Sequence, residues 1–458
     1  YGDQAPNFAK QRHIDPSLGF GYDYDVINTE KLLQLEVNDG KMTLPHGQEY
    51  VLLVLPDQTT MPLHVLQKIE KMLMNGALVV GPKQKKTPGL LNYVENDQKL
   101  ASLADELWSG LAPNSPESNP VGKGVLHWGK TQREILFENE IFPDFNFKGQ
   151  DDSTSINFIH RKKDGIDIYF LRNQRNESVA TECVFRVKDK VPQLWIPETG
   201  KIVDDLIYRN EGDSTRVALN FQPHDAFFIL FVDDELNGIQ KVLKNSETLF
   251  PSQGPYAKLK GYHPKTGNIN IPGQYVFINE TNEKEPKTIE PPDMQTIESN
   301  WNLSFPDGWK APEEISFDEL MSWTDSNIDG IKYFSGIARY ETVFDIFFFF
   351  VQKKYILDLG DVRELAEVWL NGNSLGILWH QPFEIDVTNQ IQNGKNNLVI
   401  EVANEWNNRL VGDGKLPEAE RLTNTNIING PKAWGRPWKE VPLKPAGLLG
   451  PVVIKTIN

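Results

Sequence analysis

The apolar residues of this 458-residue chain change their period along its length, and that change limits the fold more than any single motif. Between residues 22 and 145, helical and strand patterns alternate. Glu49–Leu55 (EYVLLVL) is a nearly continuous apolar run, the mark of a strand buried on both faces of a parallel sheet. After it, Thr59 and Thr60 offer an N-cap, Pro62 suits a first helical turn, and Leu63, Leu66, Ile69 and Leu73 share one face. Gly76 closes that helix and Ala77–Val80 (ALVV) reads as the next strand, which makes a βαβ unit with a right-handed crossover. Helices over 99–111 and 132–141, with GVLHW (124–128) as a strand between them, complete a small open α/β domain over residues 22–150.

From Ser155 the period becomes two. INFIHR, a turn at Lys163-Asp164-Gly165, and IDIYFLR form a hairpin; ATECVFRV, VPQLWIP and DAFFILFV add strands, so residues 151–236 read as a β-sandwich. Residues 237–295 are polar and rich in Pro and Gly, a linker with one strand at QYVFIN (274–279). Residues 296–458 return to short strands. The expected class is therefore multidomain, α/β followed by all-β.

The chain carries a formal net charge of -16, which argues against nucleic acid, whose phosphates need clustered Lys and Arg. Uncharged partners, sugars among them, fit better. Cys183 is the single cysteine, so an intrachain disulfide and C-x-x-C metal sites are excluded. No apolar run reaches membrane-spanning length; the densest, Ile346–Val351, is strand-sized. The α/β segment lacks G-x-G-x-x-G and G-x-x-x-x-G-K-[ST], and Lys83, Lys85 and Lys86 read as a solvated loop. The first residue is Tyr1 rather than Met, so the expectation is a processed chain or a piece of a longer one.

Gly372-Asn373-Ser374-Leu375-Gly376 fits G-x-S-x-G, the turn that carries a hydrolase nucleophile. That turn needs a helix after it and an acid and a histidine downstream. Here Asn371-Gly372 is a hairpin signal between two strands, and His380 is the one histidine beyond Ser374. Ser374 reads as a turn residue.

Longer strings carry a resemblance. WNLSFPDGW (301–309), YILDLGDVRELAEVWLNGNSLGILWHQPFEIDVT (355–388), NNLVIEVANEWNNRLVGD (396–413) and PAGLLGPVVI (445–454) resemble the C-terminal galactose-binding-like jelly roll of glycoside hydrolase family 106, the α-L-rhamnosidases. The segment around PLHVLQKIEKMLMNGALVVGP resembles the domain that follows the catalytic barrel there, a flavodoxin- or trimerisation-like fold, and LWIPETGKI with FQPHDAFFILF resembles the next β-sandwich. FFFFVQ (347–352) departs from the family, where polar or proline residues form a loop. The resemblance implies a C-terminal region whose catalytic (β/α) barrel and acid and base carboxylates precede Tyr1, with 1–21 a tail after that barrel. It also implies a role in plant polysaccharide breakdown, a periplasmic or secreted location, and a calcium ion as a possible cofactor whose ligands here are not readable.

Glycoside hydrolysis needs two carboxyls flanking the scissile bond. The local candidate is Glu405, because Asn404-Glu405 ends the strand LVIEVAN much as barrel glycosidases present their acid. Eight of the chain's 11 tryptophans fall in 296–458: Trp301, Trp309, Trp323, Trp369, Trp379, Trp406, Trp434 and Trp438. Indole faces stack on pyranose C–H faces, although buried tryptophans are commonly core. The carbohydrate-binding candidates are Asn371, Trp379, His380, Trp406, Asn407, Arg409 and Asp413, with Trp379 or Trp406 stacking and Arg409 and Asp413 bonding hydroxyls. The competing reading has these residues bracing a neighbouring domain. Two alternatives to an accessory region of a rhamnosidase-like enzyme remain: a free-standing carbohydrate-binding protein, and a hydrolase using carboxylates of this chain.

Overall fold

The computed structural model describes residues 18, 20–113, 116–347, 349–427 and 436–457. The protein is mostly β, with several sheets and few helices. It divides into two compact units. One contains the described residues up to 147 with 183–189 and 210–216, and the other contains 148–182, 190–209 and 217–458. The segment read as one sandwich, 151–236, thus contributes to both.

In the first unit, the strands Leu53–Val54, Leu78–Val80 and Gly124–His127 run parallel, and Ser118–Val121 is antiparallel at one edge. The helix Leu63–Met74 buries Val65, Leu66, Ile69, Met72 and Leu73, the 3.6-residue spacing read from the sequence. These residues share a core with Leu100, Ala104 and Leu107 of the helix Tyr93–Leu107. Leu78 and Val80 face the other way, onto Ile135 of the helix Gln132–Glu138, so helices cover both faces. Gly124 permits this packing: a Cβ there would lie 2.4 Å from the Ala77 carbonyl oxygen and 2.5 Å from that of Leu73.

Several boundaries differ from the sequence reading. EYVLLVL is not one strand: Glu49–Tyr50 pairs antiparallel with Lys41–Thr43, the chain bends at Val51, and Leu53–Val54 then joins the parallel sheet. Thr59 and Thr60 do not cap the helix, whose N-cap is Pro62 without a side-chain bond. The helix expected over 99–111 runs over Tyr93–Leu107, and the one expected over 132–141 ends at Glu138. Thr131 and Glu134 close a capping box, a signal present in TQRE that apolar spacing alone passes over. Lys83 pairs with Asp105 at 2.7 Å on the surface.

The second unit opens with a five-stranded sheet in the order 201–203, 191–196, 226–232, 166–173, 156–163. Its expected hairpin turns at Asp164 (φ 51°) and Gly165 (φ 80°), the left-handed pair of a tight turn. The stretch 237–295 is more than a linker. Ile239–Lys244, Glu247–Phe250, Gly273–Asn279 and Lys284–Ile289 form a four-stranded sheet over a cluster that includes Val242, Phe250, Leu259, Tyr262 and Tyr275. Its composition hides this because Lys284–Ile289 is an exposed edge strand that needs no apolar face.

Residues from 293 onward build a two-stranded sheet that pairs 361–363 with 447–450, and two larger ones. One has six strands in the order 314–317, 301–304, 337–346, 394–403, 365–370, 373–378, and the other has four in the order 293–296, 453–457, 354–358, 384–386. Side chains of both, among them Trp301, Tyr340, Val368, Ile400, Leu357 and Ile454, fill one core. The apolar run at 346–351 is not a strand beyond Ile346: Phe349 stacks on Tyr355 (5.4 Å, 8°), while Phe347 and Val351 are exposed. Among the described residues no helix is long and apolar enough to cross a membrane, and no sheet exceeds six strands.

One polar contact sits inside this core. The Tyr340 hydroxyl accepts from Trp323 Nε1 at 2.6 Å and from the Leu448 N–H at 3.0 Å, and burial pushes its ionisation up. Tyr340→Phe orphans both donors, and the expected loss is about 1–3 kcal/mol per buried donor. Urea unfolding of the variant measures it; an unchanged midpoint would refute the role.

Candidate functional site

Strand register gathers one set of side chains at one end of the six-stranded sheet. Ala403 pairs with Ile337 on one side and with Leu365 on the other. Leu378 pairs with Ala366, so Trp379 and His380 leave the sheet at that same end. The loop 305–313 lies there too, because Ser304 pairs with Arg339 and runs toward the start of its neighbour. Trp309, Glu364, Glu405, Trp406, Trp379 and His380 therefore share this end.

Trp406 is 55% exposed, and its ring lies 5.7 Å from that of the half-buried Trp309, which rests edge-on against buried Phe334 at 5.9 Å. Trp379 is 60% exposed and sits edge-on to His380 at 4.7 Å. His380 is held by Glu198 Oε1 at 3.1 Å from Nε2 and by the Gln381 carbonyl at 2.7 Å from Nδ1. It positions the loop rather than offering a free ring nitrogen. Trp301 and Trp323 are core, and Trp434 lies outside the described residues.

Glu405 is exposed and ion-paired to Lys444. Glu364 is held beside it by its N–H to the Ala403 carbonyl (2.8 Å), and the two glutamates line a common crevice with Asn404 and Lys444. That crevice has about 10 Å³ of free volume, space for about one water. Ser374 is an exposed residue of the strand Asn373–Leu378, in a hairpin with no helix after it.

Three of the expected sugar ligands point inward. The loop read at NEWNNRLVGD is a helix, Asn407–Gly414, with Asn407, Arg409 and Asp413 all buried. Asn407 Nδ2 donates to the Pro442 carbonyl at 3.2 Å, and Arg409 Nη2 pairs with Asp413 Oδ1 at 2.9 Å. Asp413 also accepts from the N–H groups of Leu422 (3.1 Å) and Thr423 (2.8 Å) and from the Thr423 hydroxyl. Burial alone would raise the Asp413 carboxyl, but these bonds and the Arg409 charge hold it below the usual range. Asn371 is displaced differently. It makes the turn with φ 52°, its amide bonds the Gln390 carbonyl, Asn396 and the Asn397 N–H, and it sits at the opposite end of Leu365–Leu370, about 17 Å away at strand rise.

Trp309 was among the tryptophans weighed for stacking, whereas Glu364 and Lys444 went unread in the sequence because nothing local links these two separate segments to it. Among the described residues no group of three or more His, Cys, Asp or Glu side chains is arranged to hold a metal ion, so these side chains offer calcium no carboxylate-rich cage. A much larger hollow, about 940 Å³, lies in the first unit along the edge strand Leu53–Val54. Its walls are mainly apolar, with Leu35, Met42, Leu52, Val65 and Leu136 among them, which suits a sugar's hydroxyls less well.

Residues 1–210 match the glycoside hydrolase family 106 model, described as alpha-L-rhamnosidase. The structure is similar to that of a rhamnosidase from Novosphingobium sp. PP1Y, with 30% identity and a TM-score of 0.70, over 95% of this chain and 36% of that one. A curated protein of Formosa agariphila carrying a provisional beta-glucuronidase name is 26% identical over 100% of this chain and 54% of its own length. The chain thus spans about half the length of that curated relative.

Two substitutions test the structural roles of Asn371 and Asp413. Asn371→Ala removes a left-handed turn residue and its hydrogen bonds, and should cost about 1–3 kcal/mol in urea unfolding. Asp413→Asn breaks a buried pair and should cost about 3–5 kcal/mol at neutral pH. Because the Asp413 pKa is lowered on folding, its contribution is present above the unfolded aspartate range and lost as pH falls through the lowered value. The stability gap between wild type and Asp413→Asn should narrow in that acid window; a gap constant with pH would refute the assignment.

Proposed function

We propose that this chain is the accessory region of an α-L-rhamnosidase-like glycoside hydrolase, supporting a catalytic barrel and binding a glycan in plant polysaccharide breakdown. The observation that carries this reading is the similarity to a rhamnosidase structure over 95% of the chain. In this reading residues 296–458 are the galactose-binding-like jelly roll, supported by two sheets sharing one core. The three parallel strands flanked by helices support a flavodoxin-like domain. A periplasmic or secreted setting goes with the same proposal. The sugar is a rhamnose-containing glycan, and the provisional β-glucuronidase name of the other relative makes a uronic acid the ligand to compare.

Chemistry inside this chain is disfavoured by the one-water crevice between Glu364 and Glu405 and by the lysine bound to Glu405. The aromatic end of the six-stranded sheet supports binding instead: Trp406, braced by Trp309, offers an indole face where carboxylates can accept hydroxyls. The purified chain should not hydrolyse an aryl α-L-rhamnoside, with or without calcium. It should bind a rhamnose-containing oligosaccharide, and Trp406→Ala should weaken that binding about tenfold, equivalent to about 1.4 kcal/mol. Calorimetric titration with the glycoside assay alongside tests both parts. Turnover that disappears in Glu405→Gln would overturn the accessory role.

A further inference from the structure

The two exposed tryptophans stand on different strands. Trp406 lies three residues past Ala403, where the strand Gly394–Ala403 ends, and Trp379 is one residue past Leu378 on the edge strand. Between them runs Leu365–Leu370, which pairs with both and is preceded by Glu364. Two strand spacings put the exits about 10 Å apart, and the residues beyond Ala403 can add to that. A single pyranose is no wider than one indole, so one sugar ring cannot stack on both.

Resting on the carbohydrate-binding reading above, we propose that this end of the sheet is a two-tryptophan cleft for a neutral oligosaccharide, Trp406 and Trp379 stacking on different sugar residues of one chain. Glu364 precedes the strand between the two stacking positions, Glu405 adjoins Trp406, and their carboxylates accept hydrogen bonds from sugar hydroxyls. Both rings are set before any ligand arrives. Trp309 backs Trp406, and the His380 ring, fixed by Glu198, packs perpendicular to that of Trp379. Preorganised aromatic anchors lose little conformational freedom on binding. The carboxylates also decide the class of ligand. Lys444 offsets the charge of Glu405, but uronate residues would still meet Glu364 on a chain of net charge -16, so neutral sugars are favoured.

The test is isothermal titration of the whole chain with L-rhamnose, with neutral rhamnose oligosaccharides of increasing length, and with a uronate oligosaccharide. Affinity should rise at least tenfold from the monosaccharide to a chain long enough to span both rings, with no comparable binding of the uronate ligand. Trp379→Ala and Trp406→Ala, both at exposed positions, should each bring the oligosaccharide down toward the monosaccharide level, and melting curves confirm that they fold. Equal affinity for monosaccharide and oligosaccharide, or loss in Trp406→Ala alone, would overturn the two-ring cleft and leave a one-ring site. Absence of binding by every sugar would instead sink the carbohydrate-binding reading itself.

Discussion

Strand Gly394–Ala403 is paired on both flanks, along its full length with Ile337–Ile346 and over its second half with Leu365–Leu370. Leu398, Ile400 and Val402 along it are fully buried, so a slip of one residue would turn them to solvent and Glu401 inward. Register is therefore set by burial. Everything at the strand ends inherits that register, including the meeting of Glu364 with Glu405 and of Trp309 with Trp406. The Tyr340–Trp323 contact sits in the same core and satisfies two donors that would otherwise be stranded.

The helix Asn407–Gly414 shows why polar composition misleads. Its residues look like a surface loop, yet Asn407, Asn408, Arg409 and Asp413 are buried. Each has found a partner: Asn408 exchanges bonds with the backbone of Lys444, and Asp413 draws in Leu422 and Thr423. Gly412 leaves the space, since a Cβ would lie 2.5 Å from Arg409 Nη2 and 2.7 Å from Tyr333 Cβ. Buried polar groups are tolerated when bonded, and here they pin the 415–427 and 442–444 segments. A sugar has no access to them.

Asp413 and Asn371 thus leave the set of glycan ligands for different reasons, one by burial and one by distance. The exposed tryptophans remain, and with them two glutamates lining a crevice with space for about one water. Binding and catalysis ask opposite things of a carboxyl pair. Catalysis needs an open gap of defined width, and binding needs only accessible oxygens beside an aromatic face. This end of the sheet meets the second requirement.

Much of the architecture was legible along the chain, because periodicity is a local record of burial: the helix Leu63–Met74, the strands around it, the hairpin at Asp164-Gly165 and the Asn371-Gly372 turn all follow from spacing and turn chemistry. The demotion of Ser374 followed as well, from the Asn371-Gly372 hairpin signal together with chain order. The four-stranded sheet in 237–295 did not, since its edge strand Lys284–Ile289 is exposed except at Ile289 and its core draws on residues far apart in sequence. Nor did the site. That Trp379 and Trp406 share an end while Asn371 lies at the other depends on pairing between strands, a long-range property set by one buried face. Whether Arg409 meets a ligand or Asp413 depends on what packs over it. The sequence by itself determined which segments alternate and where they turn; tertiary packing alone decided which polar groups reach solvent, because only a neighbour can remove water from a side chain.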